Sequence, residues 1–231
     1  MAINVDLVYK TVLLILNQQQ RGNITPDEFN KVGTQVQLGI FEKYMSDLNQ
    51  QLRVPSNDSE YGDRVKNIEE KIDIFKRIGD AVYAAPIFDL PTATDFYRLG
   101  SVIYNDSIEA QMVDRNEWYL IKKAPLVAPT KAQPVFLYEN SKISMFPTSI
   151  TSDVQVSYLK KPVDIKWGYS VGGYGQFLYD ASSSVNFELH ESDEADLVIK
   201  ILELAGILIK DLNLYQVFNA EEQETIRQEK A

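Results

Sequence analysis

Thr25-Pro26-Asp27-Glu28 stands directly ahead of a long apolar stripe. A threonine three residues before a glutamate is a capping box. Proline suits the first helical position because its missing N–H has no intrahelical partner to lose. Phe29, Val32, Val36, Ile40, Tyr44, Leu48 and Leu52 then recur at three- and four-residue steps. The spacing predicts one amphipathic helix from Pro26 to about Leu52, with Ile40, Tyr44 and Leu48 in the core. A stripe of that length has to be covered, so other apolar segments must come to it.

Both ends of the chain offer cover. Residues 3–18 read as a helix with Val5, Val8, Val12, Ile15 and Leu16 on one side. A third helix is expected over about 63–78, with Val65, Ile68, Ile72, Phe75 and Ile78 on one face and Gly79 as its C-cap. Near the other end, Leu197, Val198, Ile201, Leu202, Ala205, Leu208 and Ile209 give 192–210 a wide apolar face.

The texture changes at Asp80. Seven of the nine prolines lie between Asp80 and Pro162, among short β-branched and aromatic runs. Ala81–Ala85, Phe96–Tyr104, Pro134–Tyr138, Ile143–Phe146 and Val154–Leu159 read as strands, and Asn140-Ser141 as a hairpin turn. Asp114 and Glu117 repeat the capping-box spacing and predict a short helix over 115–123. Trp167 to Tyr179, rich in Gly and Tyr, reads as a long loop or a loosely paired ribbon. The expected fold is α+β, with 1–79 and 191–231 as a helical part. Residues 80–190 are then a β-rich insertion, with a Gly/Tyr loop at 168–179.

Composition removes several function classes. The 231 residues include no cysteine and a single histidine, His190. That rules out disulfide frameworks, thiolate metal sites and cysteine nucleophiles, and argues against imidazole-based catalysis. The net charge of −10 argues against a general grip on nucleic acid. Charge is uneven, however. Residues 115–166 carry 8 basic and 4 acidic side chains, while 186–231 carry 4 and 11. Such asymmetry favours self-association or docking on a partner of opposite local sign. Val12–Leu16 and Leu204–Ile209 are far shorter than the roughly 20 apolar residues of a membrane helix. No basic n-region precedes Val12, so the expectation is a chain made and assembled inside a cell.

Motifs add no catalytic centre. Asp193-Glu194-Ala195-Asp196 spells a Walker B string, but no P-loop accompanies it. Acids in a first helical turn follow from the helix dipole. Gly172-Gly173-Tyr174-Gly175 lacks the spacing of a phosphate-cradling loop and is expected to be a flexible loop. Its tyrosines, Tyr169, Tyr174 and Tyr179, are candidates for a contact surface. His190, just before a helix, is expected to be a capping or surface residue. The Asn-x-Ser/Thr triplets at Asn23, Asn57 and Asn105 are chance matches. Glu69-Glu70 and Glu221-Glu222 read as solvated faces. Leu212, Leu214, Tyr215, Val217 and Phe218 carry more apolar surface than a free tail should expose, and form a second candidate interface.

Larger units of the sequence are similar to a known family. The run from Pro134 to Phe146-Pro147 is followed by Val154 to Tyr158-Leu159-Lys160-Lys161-Pro162. A strand ending in Phe-Pro and then one ending in Tyr-x-x-x-Pro lie between opening helices and a helix starting near Glu191-Ser192-Asp193-Glu194. This resembles head-to-tail connector adaptors of short-tailed bacteriophages, of the tail tubular protein A type. The opening stretch Val5–Asn30 is similar to virion ring proteins of crAss-like phages. The Gly/Tyr stretch at 168–179 has no counterpart in that pattern. The resemblance implies a ring of about twelve subunits at the portal vertex. It implies contacts with the portal protein and neighbouring tail ring proteins, and double-stranded DNA passing through without specific binding. It carries no catalytic residue, cofactor or metal, and places the protein in the virion after assembly in the host cytoplasm. An acidic lining suits a channel that must not hold DNA. Two other classes remain as alternatives. One is a host- or carbohydrate-recognition module using the aromatic loop, Trp118 and Trp167. The other is a glycosidase, which needs two facing carboxylates that no motif supplies.

Overall fold

The computed structural model describes residues 2–18, 23–53, 59–90, 95–126, 128–209, 220 and 223. The chain is α+β and divides into two compact units, Met1–Ile74 with Pro162–Ala231, and Phe75–Lys161. These bounds differ from the expected 79/80 and 190/191. The sheet unit opens earlier and closes much sooner, because residues 162–190 lie along helices rather than in the sheet.

The helical unit contains α1 (Val5–Gln18), α2 (Pro26–Arg53), α3 (Ser59–Asp73) and, after the sheet unit has intervened in the chain, the last helix, Glu194–Ile209. The capping box forms as the sequence indicates. Thr25 N–H donates to Glu28 Oε2 at 2.9 Å, and Glu28 N–H to Thr25 Oγ1 at 3.4 Å. Those bonds hold the Glu28 carboxyl below its usual range, the backbone bond from Thr25 being the main cause. Asn4 caps α1 by accepting from the N–H groups of Asp6 and Leu7. Phe29, Val32, Val36, Ile40 and Tyr44 are buried, along with Phe41, while Leu48 is only half-buried. Val5, Val8, Val12 and Leu16 of α1 and Leu197, Ile201, Leu202 and Ala205 of the last helix complete the core.

The third helix ends at Asp73, short of the expected residue 78. Ile72 and Phe75 are buried, but Ile78 is exposed and Gly79 lies in a strand rather than at a cap. The reason is tertiary: Lys76–Asp80 pairs antiparallel with Gln155–Leu159, and ladder bonds override a local helical pattern.

The sheet unit holds β1 (Lys76–Asp80), β2 (Val82–Ala84), β3 (Ile87–Asp89), β4 (Phe96–Tyr104), β5 (Ile108–Met112), α4 (Arg115–Lys123), β6 (Val135–Glu139), β7 (Lys142–Phe146) and β8 (Val154–Lys160). Their order is β1-β8-β4-β5-β6-β7-β3-β2. The two edge strands are therefore consecutive pieces of one run, joined through Ala81, whose N–H donates to Val154 O at 2.8 Å. A sheet whose first and last strands are a single segment has to curve until its edges meet, which removes most of its open edge. Inward residues of six strands make one core, including Phe88, Val102, Ala110, Phe136, Ile143, Met145 and Val156.

Curvature is concentrated in β4, whose register with β8 shifts between Leu99 and Val102. Gly100 sits at this bulge. A Cβ there would lie 2.9 Å from the Ser157 carbonyl oxygen, so only glycine fits. The β6–β7 hairpin turns on Asn140 and Ser141, both at positive φ, as a two-residue turn requires. β5 and β6 are parallel and joined through α4, which packs Trp118 against Val113 and Val135 on the outer face. β3 and β5 are additions to the expected strands.

Ile40 is 1% exposed. Ile40→Ala should therefore cost about 2–5 kcal/mol in urea melts of the full chain, and a loss below about 0.5 kcal/mol would contradict its burial.

Candidate interaction site

Residues 162–190 contain two extended limbs that lie along α2. Lys166 and Val185 exchange backbone bonds of 3.1 and 2.7 Å, and Ile3 bridges Phe187 on the other side. Ile165, Trp167, Phe187 and Leu189 alternate inward and are buried. A strand beside a helix has no ladder partner on that side, and its polar groups need others. Asn30, Thr34 and Gln37 supply them. Ile165 N–H donates to Thr34 Oγ1 at 3.2 Å, Trp167 N–H to Asn30 Oδ1 at 2.7 Å, and Gln37 Nε2 to Val163 O at 2.7 Å. Gln37 also accepts from Glu188 N–H at 2.9 Å, so one side chain ties both limbs. Gly33 lies among these residues, and a Cβ there would meet Ile165 Cδ1 at 2.8 Å.

Trp167 is the foot of the site. Its indole N–H donates to Asp6 Oδ1 at 3.1 Å. Its ring packs between Tyr9, 4.5 Å away, and Tyr169 and Tyr179, at 6.0 and 5.6 Å between centroids. From this foot rises a hairpin of β9 (Tyr169–Val171) and β10 (Phe177–Tyr179). The sequence-based choice between loop and ribbon resolves to a ribbon. Gly172 N–H donates to Gln176 O and Gly175 N–H to Gly172 O, with Gly175 at φ +80°. The Gly-Gly-Tyr-Gly stretch is thus a hairpin tip.

The three tyrosines singled out in this region take different places, Tyr179 packing with Tyr169 against Trp167. Tyr169 is part of the foot, and its hydroxyl donates to Asp27 Oδ1 at 3.3 Å. Desolvation, then the Asp27 carboxylate, pushes that hydroxyl up from the ordinary range. Tyr174 is at the tip and 98% exposed. Val171, Phe177 and Leu178 are also exposed and extend the apolar surface along the ribbon. Sequence reasoning passed over these three, although they flank a glycine-rich turn on both sides. Below the hairpin, Asp180 accepts from Ser182 and Ser183, and those bonds hold its carboxyl below the usual range.

The other candidate residues have structural places. His190 caps the 3-10 turn Glu191–Asp193 by accepting from Ser192 N–H at 3.2 Å. Asp193 differs from a solvated first-turn acid: it is buried, accepts from the Tyr44 hydroxyl and pairs with Lys71 at 2.7 Å. A polar clamp thereby joins α2, α3 and the segment leading to the last helix, which is α5 (Glu194–Ile209). Trp118 and Trp167 are both buried, so neither offers an open ring face to a sugar. Leu212, Leu214, Tyr215, Val217 and Phe218 lie outside the described residues. Among the described residues no cluster of three or more His, Asp or Glu is placed to hold a metal ion. No helix among them is long and apolar enough to cross a membrane.

The chain matches no protein-family model and no curated protein.

Gln37→Leu should leave Val163 O and Glu188 N–H without partners, at about 1–3 kcal/mol for each group in urea melts. The exposed Gln35→Leu should change little. Because the folded pKa of Asp180 is lowered, its stabilising effect is present above the unfolded value of about 3.9 and is lost as pH falls through the folded one. A carboxyl NMR titration of Asp180 should have a midpoint below that value, and Asp180→Asn should remove this part of the acid sensitivity.

Proposed function

We propose that the protein is a structural ring component of a bacteriophage virion, in the connector between portal and tail, with no catalytic activity. The observation that carries the reading is the hairpin β9–β10. It is uncharged from Tyr169 to Tyr179, exposes Val171, Phe177 and Leu178 on its strands and Tyr174 at its tip, and is fastened at its foot by Trp167. Aromatic and aliphatic side chains held out on a braced ribbon supply contact area at a low ordering cost. Such a device suits permanent assembly with another protein. The similarity of Val5–Asn30 and of the Phe-Pro and Tyr-x-x-x-Pro strands to connector and ring proteins supplies the setting.

In this reading about twelve copies close a ring, as cyclic assemblies do. The ring docks on the portal and on the next tail component. Double-stranded DNA passes through, and the net charge of −10 favours sliding over retention. The curved sheet unit supplies a stiff body with little open strand edge.

Native mass spectrometry and negative-stain microscopy of the purified chain, alone and with the portal protein of the same virion, test this. The expected outcome is a closed ring of many copies in at least one condition. A chain that stays monomeric in both, or that binds glycans as a monomer, would overturn it.

A further inference from the structure

The hairpin β9–β10 is a sheet of two strands with two open edges, and its pairing fixes which backbone groups point outward. Gly172 N–H donates to Gln176 O at 2.8 Å, and Asp180 N–H to Gly168 O at 2.9 Å. Between these bonds Val171 stands opposite Phe177, Ser170 opposite Leu178 and Tyr169 opposite Tyr179. Bonded and non-bonded pairs alternate along an antiparallel ladder. Ser170 and Leu178 therefore turn their N–H and C=O groups to each other. Those of Tyr169 and Val171 point out from one edge, and those of Phe177 and Tyr179 from the other. No described residue bonds to these outward backbone groups.

Neither edge is guarded. Charges, prolines and bulges are what keep open edges from pairing. From Tyr169 to Tyr179 there is no charge and no proline, and the register runs without a shift. The larger sheet loses most of its edge by curving on itself, which two strands cannot do. A two-stranded ribbon is also marginal in water until further strands join it.

We propose that the β10 edge of one copy pairs with the β9 edge of the next, so that the hairpins of successive copies form one continuous antiparallel sheet. The inference rests on the ring reading above and names its contact. The two edges complement each other in direction, level and side chains. Because β9 and β10 are antiparallel, a second hairpin laid alongside in the same orientation sets its β9 antiparallel to the first β10. Phe177 and Tyr179 lie opposite Val171 and Tyr169 within the hairpin, so the outward groups of the two edges stand at equal heights. Residues two apart share a face, so Tyr169, Val171, Phe177 and Tyr179 line one side of the ribbon. Tyr169 and Phe177 already pack edge to face there, with centroids 5.0 Å apart. Pairing across copies sets Phe177 beside the next Val171, an aromatic and β-branched pair of the kind that stabilises sheets. No ion has to be desolvated in this contact.

Pairing of two β10 edges about a two-fold axis leaves both β9 edges open. Head-to-tail pairing uses both edges of every copy once the cycle closes, and a closed sheet has no edge left.

The test uses the full chain and two variants, one for each edge. Val171→Pro removes an outward N–H of β9, and Phe177→Pro an outward N–H of β10. Neither removes a bond inside the hairpin, and each places a proline ring where the neighbouring strand would lie. Circular dichroism melts check the fold, and slow amide exchange at Ser170 and Leu178 checks the hairpin. Should either variant lose them, Val171→Lys and Phe177→Lys guard the same edges with a charge. Sedimentation and native mass spectrometry then read assembly in the chain alone. Each variant by itself should be monomeric. An equal mixture should form a dimer and nothing larger, since one intact β10 edge meets one intact β9 edge. In the wild-type assembly the amides of Val171 and Phe177 should become protected from exchange. The hairpin-bearing unit has 24 acidic and 13 basic residues, so copies repel around an uncharged contact, and raising salt should strengthen assembly. If either variant still forms rings, or the mixture fails to dimerise, this inference fails while the ring reading stands. A wild-type chain that stops at a dimer, or is monomeric alone but joins a ring with the portal, also overturns the contact. One that never joins a ring overturns both.

Discussion

The helical unit depends on a row of three polar side chains on the amphipathic helix α2. Asn30, Thr34 and Gln37 are four and then three residues apart, so they share one face of α2. A helix advances about 6 Å in four residues, and a strand about 6.6 Å in two. Residues 167, 165 and 163 therefore meet 30, 34 and 37 nearly in step. The longer side chain of Gln37 spans the mismatch that has accumulated by the last rung. The bonds let an extended segment lie beside a helix without abandoning its backbone polar groups, as burial requires. Gln37 is 1% exposed, so water is no substitute for it.

Much else follows from that row. With 163–167 fixed on α2, Trp167 is held where Asp6 and Tyr9 of α1 meet it, and Phe187 is brought to Ile3. The hairpin then stands on a ring stack rather than on a swinging loop. Its tip has little packing of its own and its foot has much, a combination that presents apolar surface in a defined place. Further along α2, Tyr44, Asp193 and Lys71 perform a similar task with charge. An acid with both a hydroxyl and an ammonium partner can be buried, where a lone one would not be.

The sheet unit solves its own problem by covalent continuity. β1 and β2 occupy opposite ends of the strand order while sharing one run of chain. This closes the sheet, and the bulge at Gly100 permits the bend. α4 covers part of the outer surface through Trp118, with Arg115 paired to Glu139 of β6. The surface beside α4 that Leu120 and Leu126 share with Glu109 and Glu117 stays open.

Local signals were legible in the residues. The Thr25–Glu28 box, the stripe of α2, the Asp114–Glu117 start of α4 and the Asn140-Ser141 turn each act within four residues, where chain entropy is small and one pattern favours one conformation. His190 as a cap belongs to the same class. The Gly- and Tyr-rich stretch was also legible as a segment of its own, because aromatics beside glycines stand out in composition, but not that Tyr169 braces its foot while Tyr174 sits at its tip. The tertiary structure decided everything that needed a distant partner. Lys76–Asp80 became a strand because β8 offered a ladder, although Ile72, Phe75 and Ile78 keep a helical beat. Residues 162–190 joined the helices because Asn30, Thr34 and Gln37 face them. Asp193 became a buried clamp because Tyr44 and Lys71 converge on it. A polar residue on a helix reads the same in sequence whether its partner is water or a backbone 126 residues away, and only the fold distinguishes the two.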